Sequence, residues 1–147
     1  MKKFVFTLQA VNDIALATEK QLKIEMQRID DRLRRVCKEI EDTQSEFRAL
    51  KARCSAQMRQ EGIDSLTLVQ YEHYFEKLEA TLEVLKQTKI QIEREKAKCL
   101  QAQIENRKEL KTLEKLREKQ YEEYLSEVRR EEEKAIGDLV AYRSTIQ

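Results

Sequence analysis

The chain has 147 residues, of which 39% are charged and 40% apolar, and its formal net charge is +1. It contains no proline and two glycines, so almost nothing in it would stop a helix. The balanced charge argues against a nucleic-acid partner, and no run approaches the roughly 18 consecutive apolar residues that span a bilayer. We therefore expect long, solvated helices, no nucleic-acid binding and no transmembrane segment.

A seven-residue hydrophobic repeat dominates the first half of the chain. Its positions alternate in spacing between four and three residues, and all but one are apolar: Leu22, Met26, Ile29, Leu33, Val36, Ile40, Thr43, Phe47, Leu50 and Cys54. A stripe this narrow can be buried only against another helix, so it predicts a coiled coil. We expect the first helix to occupy about residues 7–60.

A turn is predicted at about residues 61–64. Gly62 can adopt the left-handed conformation that ends a helix, and Asp64 or Ser65 can cap the next one. The second helix is expected over about residues 65–140, on a second stripe formed by Leu68, Tyr71, Phe75, Leu78, Leu82 and Leu85.

The polarity of this second stripe changes twice along the helix. It becomes polar at Lys89, Lys96, Gln103 and Asn106 and apolar again at Leu110 and Leu113. The polar stretch is either a loosely packed, solvated section, which we favour, or a layer that sets the register. Beyond it the apolar residues Leu116, Tyr121, Leu125 and Val128 suggest a stripe that drifts around the helix.

Two helices joined by so short a turn should be antiparallel neighbours. Aligning the stripes places Phe47 opposite Leu78 and Leu33 opposite Ile92; each pair of residue numbers adds to 125, which puts the midpoint beside Gly62. The predicted fold class is therefore all-α: one domain, residues 1–147, forming a long two-helix antiparallel coiled-coil hairpin with an overhanging C-terminal helix. The overhang of 25 to 30 residues ends in an apolar cluster that frays or binds a partner: Ile136, Leu139, Val140 and Tyr142.

The sequence offers little for catalysis or for binding a metal or cofactor. His73 is the one histidine, and the chain has no glycine-rich phosphate loop. Its three cysteines lack metal-ligand spacing. We expect no catalytic residue, no metal, no cofactor and a reduced, cytoplasmic protein.

The aromatic residues near the turn are candidates for binding a partner. Phe47, Tyr71 and Phe75 lie on the stripes, so packing explains them. Tyr74 lies beside the stripe, where it either anchors a partner or half-covers the core.

The opening Phe4-Val5-Phe6-Thr7-Leu8-Gln9, on a chain that forms one long hairpin, resembles the FliJ family of the flagellar type III export apparatus. The segment Glu46-Phe47-Arg48 and the residues Tyr71, Tyr74 and Leu78 are also similar to the family's pattern. The resemblance covers nearly the whole chain.

This resemblance implies a non-enzymatic stalk at the cytoplasmic face of the membrane. Its partners would be a hexameric export ATPase, the membrane export gate and, in addition, export chaperones. The gate-binding residues would be Phe47, Tyr71, Tyr74 and Leu78, near the turn. The ATPase ring would be engaged by the open end, through Phe4, Phe6, Ile136, Leu139, Val140 and Tyr142.

Two alternatives remain at this point. One is a generic dimeric coiled-coil scaffold or tether, and the other is the equivalent stalk of a virulence type III secretion system. The molecular mass in solution distinguishes the dimeric scaffold from a hairpin stalk, because we expect the stalk to be a monomer or to self-associate weakly.

Overall fold

The structure is a computed structural model that describes residues 2–146. Over that range it contains two α-helices and no strand: α1, Gln9–Gln60, and α2, Ser65–Ile146. The predicted all-α helical hairpin is therefore confirmed. Helix α1 begins at Gln9 rather than near residue 7, and α2 continues beyond its expected end near residue 140.

The turn between the helices follows from its residues. Gly62 has a φ of +73°, a left-handed conformation that costs glycine little because it has no Cβ. The carboxylate of Asp64 accepts a hydrogen bond of 3.0 Å from the backbone N–H of Thr67, one of the N–H groups that a helix start leaves without a partner. Gly62 thus permits α1 to end, and Asp64 caps α2.

The chain forms two compact units, and each contains part of both helices. We call residues 22–101 the turn unit, and residues 1–21 with residues 102–147 the terminal unit.

In the turn unit the two stripes face each other as predicted. Each predicted stripe position of α1 from Leu22 to Cys54 is buried or half-buried. A core cluster forms around Ile29, Ile92 and Cys99, which are all buried. Four half-buried residues complete this cluster: Leu22, Met26, Leu33 and Val36.

Polar contacts across the turn unit agree with the predicted register. Arg32 and Glu95 form an ion pair at 2.7 Å, and Lys96 reaches Asp30 at 2.9 Å. Each contact joins residues within one helical turn of the expected opposite position, whereas a shift by a heptad would move them about two turns apart. The side chains are half-exposed, so each pair contributes about 0–1 kcal/mol. Apolar packing, rather than charge, supplies most of the stability of this unit.

The terminal unit has a second small core, centred on Phe6, Ala15 and Leu113. Three half-buried residues pack around it: Phe4, Leu8 and Leu110. Residues 2–8, which we call the N-terminal segment, precede α1 and lie along α2. Thr7 and Gln120 exchange hydrogen bonds, and the shorter of the two side-chain contacts is 2.9 Å.

This segment explains why the predicted drift of the stripe is wrong at Leu116 and Tyr121, whereas Leu125 and Val128 are half-buried, as the drift predicts. Leu116 and Tyr121 are 37% and 46% exposed, whereas Gln120 and Tyr124 are half-buried. Gln120 lies seven residues after Leu113, so the original spacing continues as far as Tyr124, with polar groups that bond to the N-terminal segment.

The burial of Asn106 shows that the favoured interpretation of the polar stretch, a loosely packed and solvated section, is wrong at this position. Its side chain is only 7% exposed, and its Nδ2 donates a 3.1 Å hydrogen bond to the backbone carbonyl of Ala15. The small side chain of Ala15 leaves room for the amide to reach that carbonyl. At this position the stretch is a buried, satisfied polar layer rather than a solvated section.

We predict that Asn106→Leu preserves stability but loosens the register of the terminal unit. A buried amide favours the one alignment in which it finds its acceptor, whereas leucine packs acceptably in several. The measurement is disulfide formation between cysteines at positions 15 and 110 in a background without native cysteines. The variant should also cross-link position 15 to position 103 or 117, one heptad away. If position 110 alone reacts in both proteins, Asn106 has no such role.

We also predict that the cap at Asp64 makes stability depend on acid. Hydrogen bonds from Thr67 hold the pKa of Asp64 below its ordinary value of 3.8. A lowered pKa in the folded state means that the stabilisation is complete above pH 3.8 and is lost as the pH falls below that value. Asp64→Asn keeps an acceptor that cannot ionise. Urea unfolding at neutral pH and below pH 3.8 should therefore show a smaller acid loss in the variant. Equal losses in the two proteins would contradict this role.

Candidate partner-binding surfaces

Three of the four residues predicted near the turn share one surface cleft, which we call the turn cleft. Tyr71, Tyr74 and Leu78 line it from α2, and its volume is about 390 Å³. Tyr74 is the most available of them, since 58% of it is exposed. The cleft therefore has one accessible aromatic ring above a half-buried floor.

The α1 wall of the turn cleft consists of residues that were not among those expected to bind a partner. Leu50 continues its floor, and Glu46 and Arg53 place opposite charges at its rim. These residues could have been found from the predicted register, because it determines which positions that flank the α1 stripe lie opposite the positions that flank the α2 stripe. The cleft thus combines an aromatic anchor with one acidic and one basic group.

Tyr71 is held firmly in the floor. Its hydroxyl donates a 2.7 Å hydrogen bond to the side-chain oxygen of Gln57, and its ring stacks on Phe75 with centroids 6.2 Å apart. A side chain fixed at both ends loses little further freedom when a partner binds.

Phe47, the fourth predicted residue, lies outside the turn cleft. Its ring packs against Phe75 at 5.5 Å, and the ammonium group of Lys51 lies 4.5 Å from its centre. It faces a smaller hollow that it shares with Leu82. The geometry therefore gives Phe47 a packing role beside the cleft.

At the open end, the structure separates the two predicted phenylalanines from the apolar cluster of α2. Phe6 is 4% exposed, so it has almost no surface for a partner and braces the terminal unit instead. Phe4 is half-buried and packs edge-on against Tyr121 at 5.1 Å and beside Tyr124 at 5.5 Å. The hydroxyl of Tyr124 also donates a 2.9 Å hydrogen bond to the carbonyl of Lys2. The two tyrosines, which the sequence analysis did not pair with Phe4, hold the N-terminal segment on α2.

Beyond Val128, every described residue of α2 is exposed to solvent. We call residues 129–146 the tail, because each of them is exposed. The four predicted apolar residues and one more are 60–65% exposed: Ile136, Leu139, Val140, Tyr142 and Ile146. Their spacing places them on one side of the helix. The tail therefore presents an apolar face to solvent, interrupted by Arg143 before Ile146.

The described residues include neither a candidate metal site nor a candidate membrane span. Within residues 2–146 no group of histidine, cysteine and carboxylate side chains could hold a metal ion. Neither helix, over the part described, is long and apolar enough to cross a membrane. Burial raises the pKa of the Cys99 thiol, and the carboxylates of Glu25 and Asp30 raise it further, so this thiol is a poor nucleophile.

We predict different stability effects at the two edges of the turn cleft. Phe47→Ala should lower the free energy of unfolding by about 1.5–3 kcal/mol, less than the 3–5 kcal/mol of a fully buried ring, since Phe47 is half-buried. Tyr74→Ala should change it by less than about 0.5 kcal/mol. Urea titrations followed by circular dichroism measure both. A loss for Tyr74→Ala as large as that for Phe47→Ala would mean that Tyr74 is a core residue.

Comparison with known proteins gives one match. The family model described as flagellar FliJ protein matches residues 4–145, nearly the whole chain. No curated protein and no solved structure matches the chain significantly.

Proposed function

Because the chain belongs to the flagellar FliJ family, and is thus a component of the flagellar protein export apparatus, we propose that it is a non-enzymatic stalk coupling the export ATPase to the membrane export gate. The family match supports the flagellar system over the virulence system. A coupling protein needs two separate binding surfaces rather than an active site. The turn cleft and the tail, which belong to different units, meet that requirement.

In this proposal the turn cleft binds the export gate. Its exposed ring, Tyr74, has a rigid floor, and aromatic side chains in such settings often supply much of a binding energy. Glu46 and Arg53 at the rim would orient the partner through charge. Phe47 would support the cleft from below without touching the gate.

The tail would engage the central channel of a hexameric ATPase ring. Its apolar face is free in the isolated chain, and a lone helix with such a face gains stability from a partner. The ATPase would then hydrolyse the nucleotide, while this chain transmits the event. Such a protein would work at the cytoplasmic face of the membrane, and export chaperones are further candidate partners.

We predict that Tyr74→Ala weakens binding to the cytoplasmic domain of the export gate by about ten-fold or more, since it removes the exposed anchor. Isothermal titration calorimetry with the purified domain measures this. Val69→Ala is a matched control, because Val69 is 59% exposed on the same helix but does not line the turn cleft. Equal affinity of Tyr74→Ala and the wild type would rule out the proposed surface.

We predict that deleting residues 132–147 abolishes stimulation of the export ATPase while gate binding persists. The deletion keeps Glu131, which lines a hollow with Lys2 and Lys3, so the part of α2 that contacts the N-terminal segment is retained. Ile136→Glu together with Leu139→Glu should have the same effect at full length.

Gly137→Ala serves as the control for the tail. A Cβ at Gly137 would meet nothing within 4 Å, and alanine favours the helix, so stimulation should persist. Phosphate release by the ATPase is the readout. Full stimulation by the truncated chain would exclude the tail from this role.

A further inference from the structure

The apolar face of the tail is not a continuation of the stripe that joins α1 to α2. The seven-residue spacing of Gln120 and Tyr124, continued along α2, falls on residues that are mostly polar: Glu131, Lys134, Asp138 and Ala141. The apolar face is centred about 140° around the helix from those positions, at 3.6 residues per turn. The tail thus has its own stripe, which points away from the side that α1 covers elsewhere.

This second stripe has a seven-residue pattern of its own. Its core positions are Glu132, Ile136, Leu139, Arg143 and Ile146. Two apolar residues at its centre are flanked by an acidic residue on one side and a basic residue on the other. Val140 and Tyr142 widen the apolar centre.

We propose that the tail pairs with the tail of a second copy of this chain, in antiparallel orientation. With residues 137 and 138 at the centre of symmetry, Ile136 packs against Leu139 of the second copy, and the symmetry repeats this contact. The same alignment places Glu132 opposite Arg143 of the second copy, again twice. An apolar centre is thereby closed at both ends by opposite charges.

The charges also select the orientation. In a parallel, in-register pair each residue faces its own equivalent, so Glu132 would face Glu132 and Arg143 would face Arg143. Like charges in such positions disfavour an arrangement, whereas opposite charges fix it. Glu132, Ile136, Leu139 and Arg143 therefore match a second copy only when the two helices run in opposite directions.

The pair is weak because it is short. The tail has about five helical turns, and its contact falls below the roughly 1,200 Å² of a standard stable interface. We expect a dissociation constant on the order of 100 µM. The isolated chain is then monomeric when dilute and dimeric when concentrated.

The test is sedimentation equilibrium of the full chain from about 5 µM to about 500 µM. Glu132→Arg and Arg143→Glu should each weaken the dimer by about ten-fold or more, because each places two like-charge pairs in the contact. The double variant restores both pairs with reversed signs, so it should associate as the wild type does. Lys134→Glu is the matched control: it changes charge by the same amount as Arg143→Glu, but on the other side of the helix.

Several results would overturn the proposal. These are the absence of a dimer at the highest concentration, single variants that associate normally, a double variant that is not restored, or a dimer that survives Leu139→Glu. The measurement contains this chain alone. Its failure therefore leaves the ATPase proposal standing, and a failure to stimulate the ATPase leaves this proposal standing.

Discussion

The mutual burial of two narrow apolar stripes is the interaction on which the rest of this structure depends. Each helix satisfies its own backbone hydrogen bonds, so the alignment of α1 with α2 depends mainly on how their side chains pack. Burying a large aliphatic side chain such as Ile92 is worth about 1.5–3 kcal/mol, well above the 0–1 kcal/mol of an exposed ion pair such as Arg32 with Glu95. Charge and capping refine an alignment that apolar packing has already chosen.

In such a fold, most surface residues do not contribute to the packing between the helices. Tyr74, the charged rim of the turn cleft and the tail lie off the stripes, so their chemistry can differ without disturbing the packing between the helices. The two also differ in what they need. The turn cleft is shaped by groups that hold each other in place, such as Tyr71 and Gln57, whereas the described residues of the tail are all exposed. Because a second tail and an ATPase ring would cover the same apolar face, the two occupants would exclude each other.

Local pattern explains which features could be predicted. The stripe from Leu22 to Cys54, the turn at Gly62 and the cap at Asp64 are each encoded within a few neighbouring residues. The turn cleft was predictable in part, since Tyr74 is visibly off the stripe. Its α1 wall, Glu46 and Arg53, required the register of two distant segments.

The features that were missed depend on tertiary contact. The alternating positions of Phe4 and Phe6 do not show which residues they pack against. Phe4 packs against Tyr121 and Tyr124, and Phe6 belongs to the same core as Leu113. Polarity likewise argued against burying Asn106. Asn106 is nevertheless buried because its amide donates a hydrogen bond to the backbone carbonyl of Ala15, which the small alanine side chain leaves within reach. The residue type at position 106 alone does not show that a hydrogen-bond acceptor lies within reach.

The three cysteines give the turn unit built-in reporters of local motion. None is in a disulfide; Cys54 and Cys99 are buried, and Cys37 is half-buried. A thiol reagent can reach a buried sulfur only when the surrounding helices separate, so its labelling rate measures how often that region opens. Cys54 lies close to the turn, and Cys99 contacts the carbonyl of Leu22 at the other limit of the unit. Comparing their rates in the native sequence would show whether the helices part first at the turn or far from it, with no label introduced by mutation.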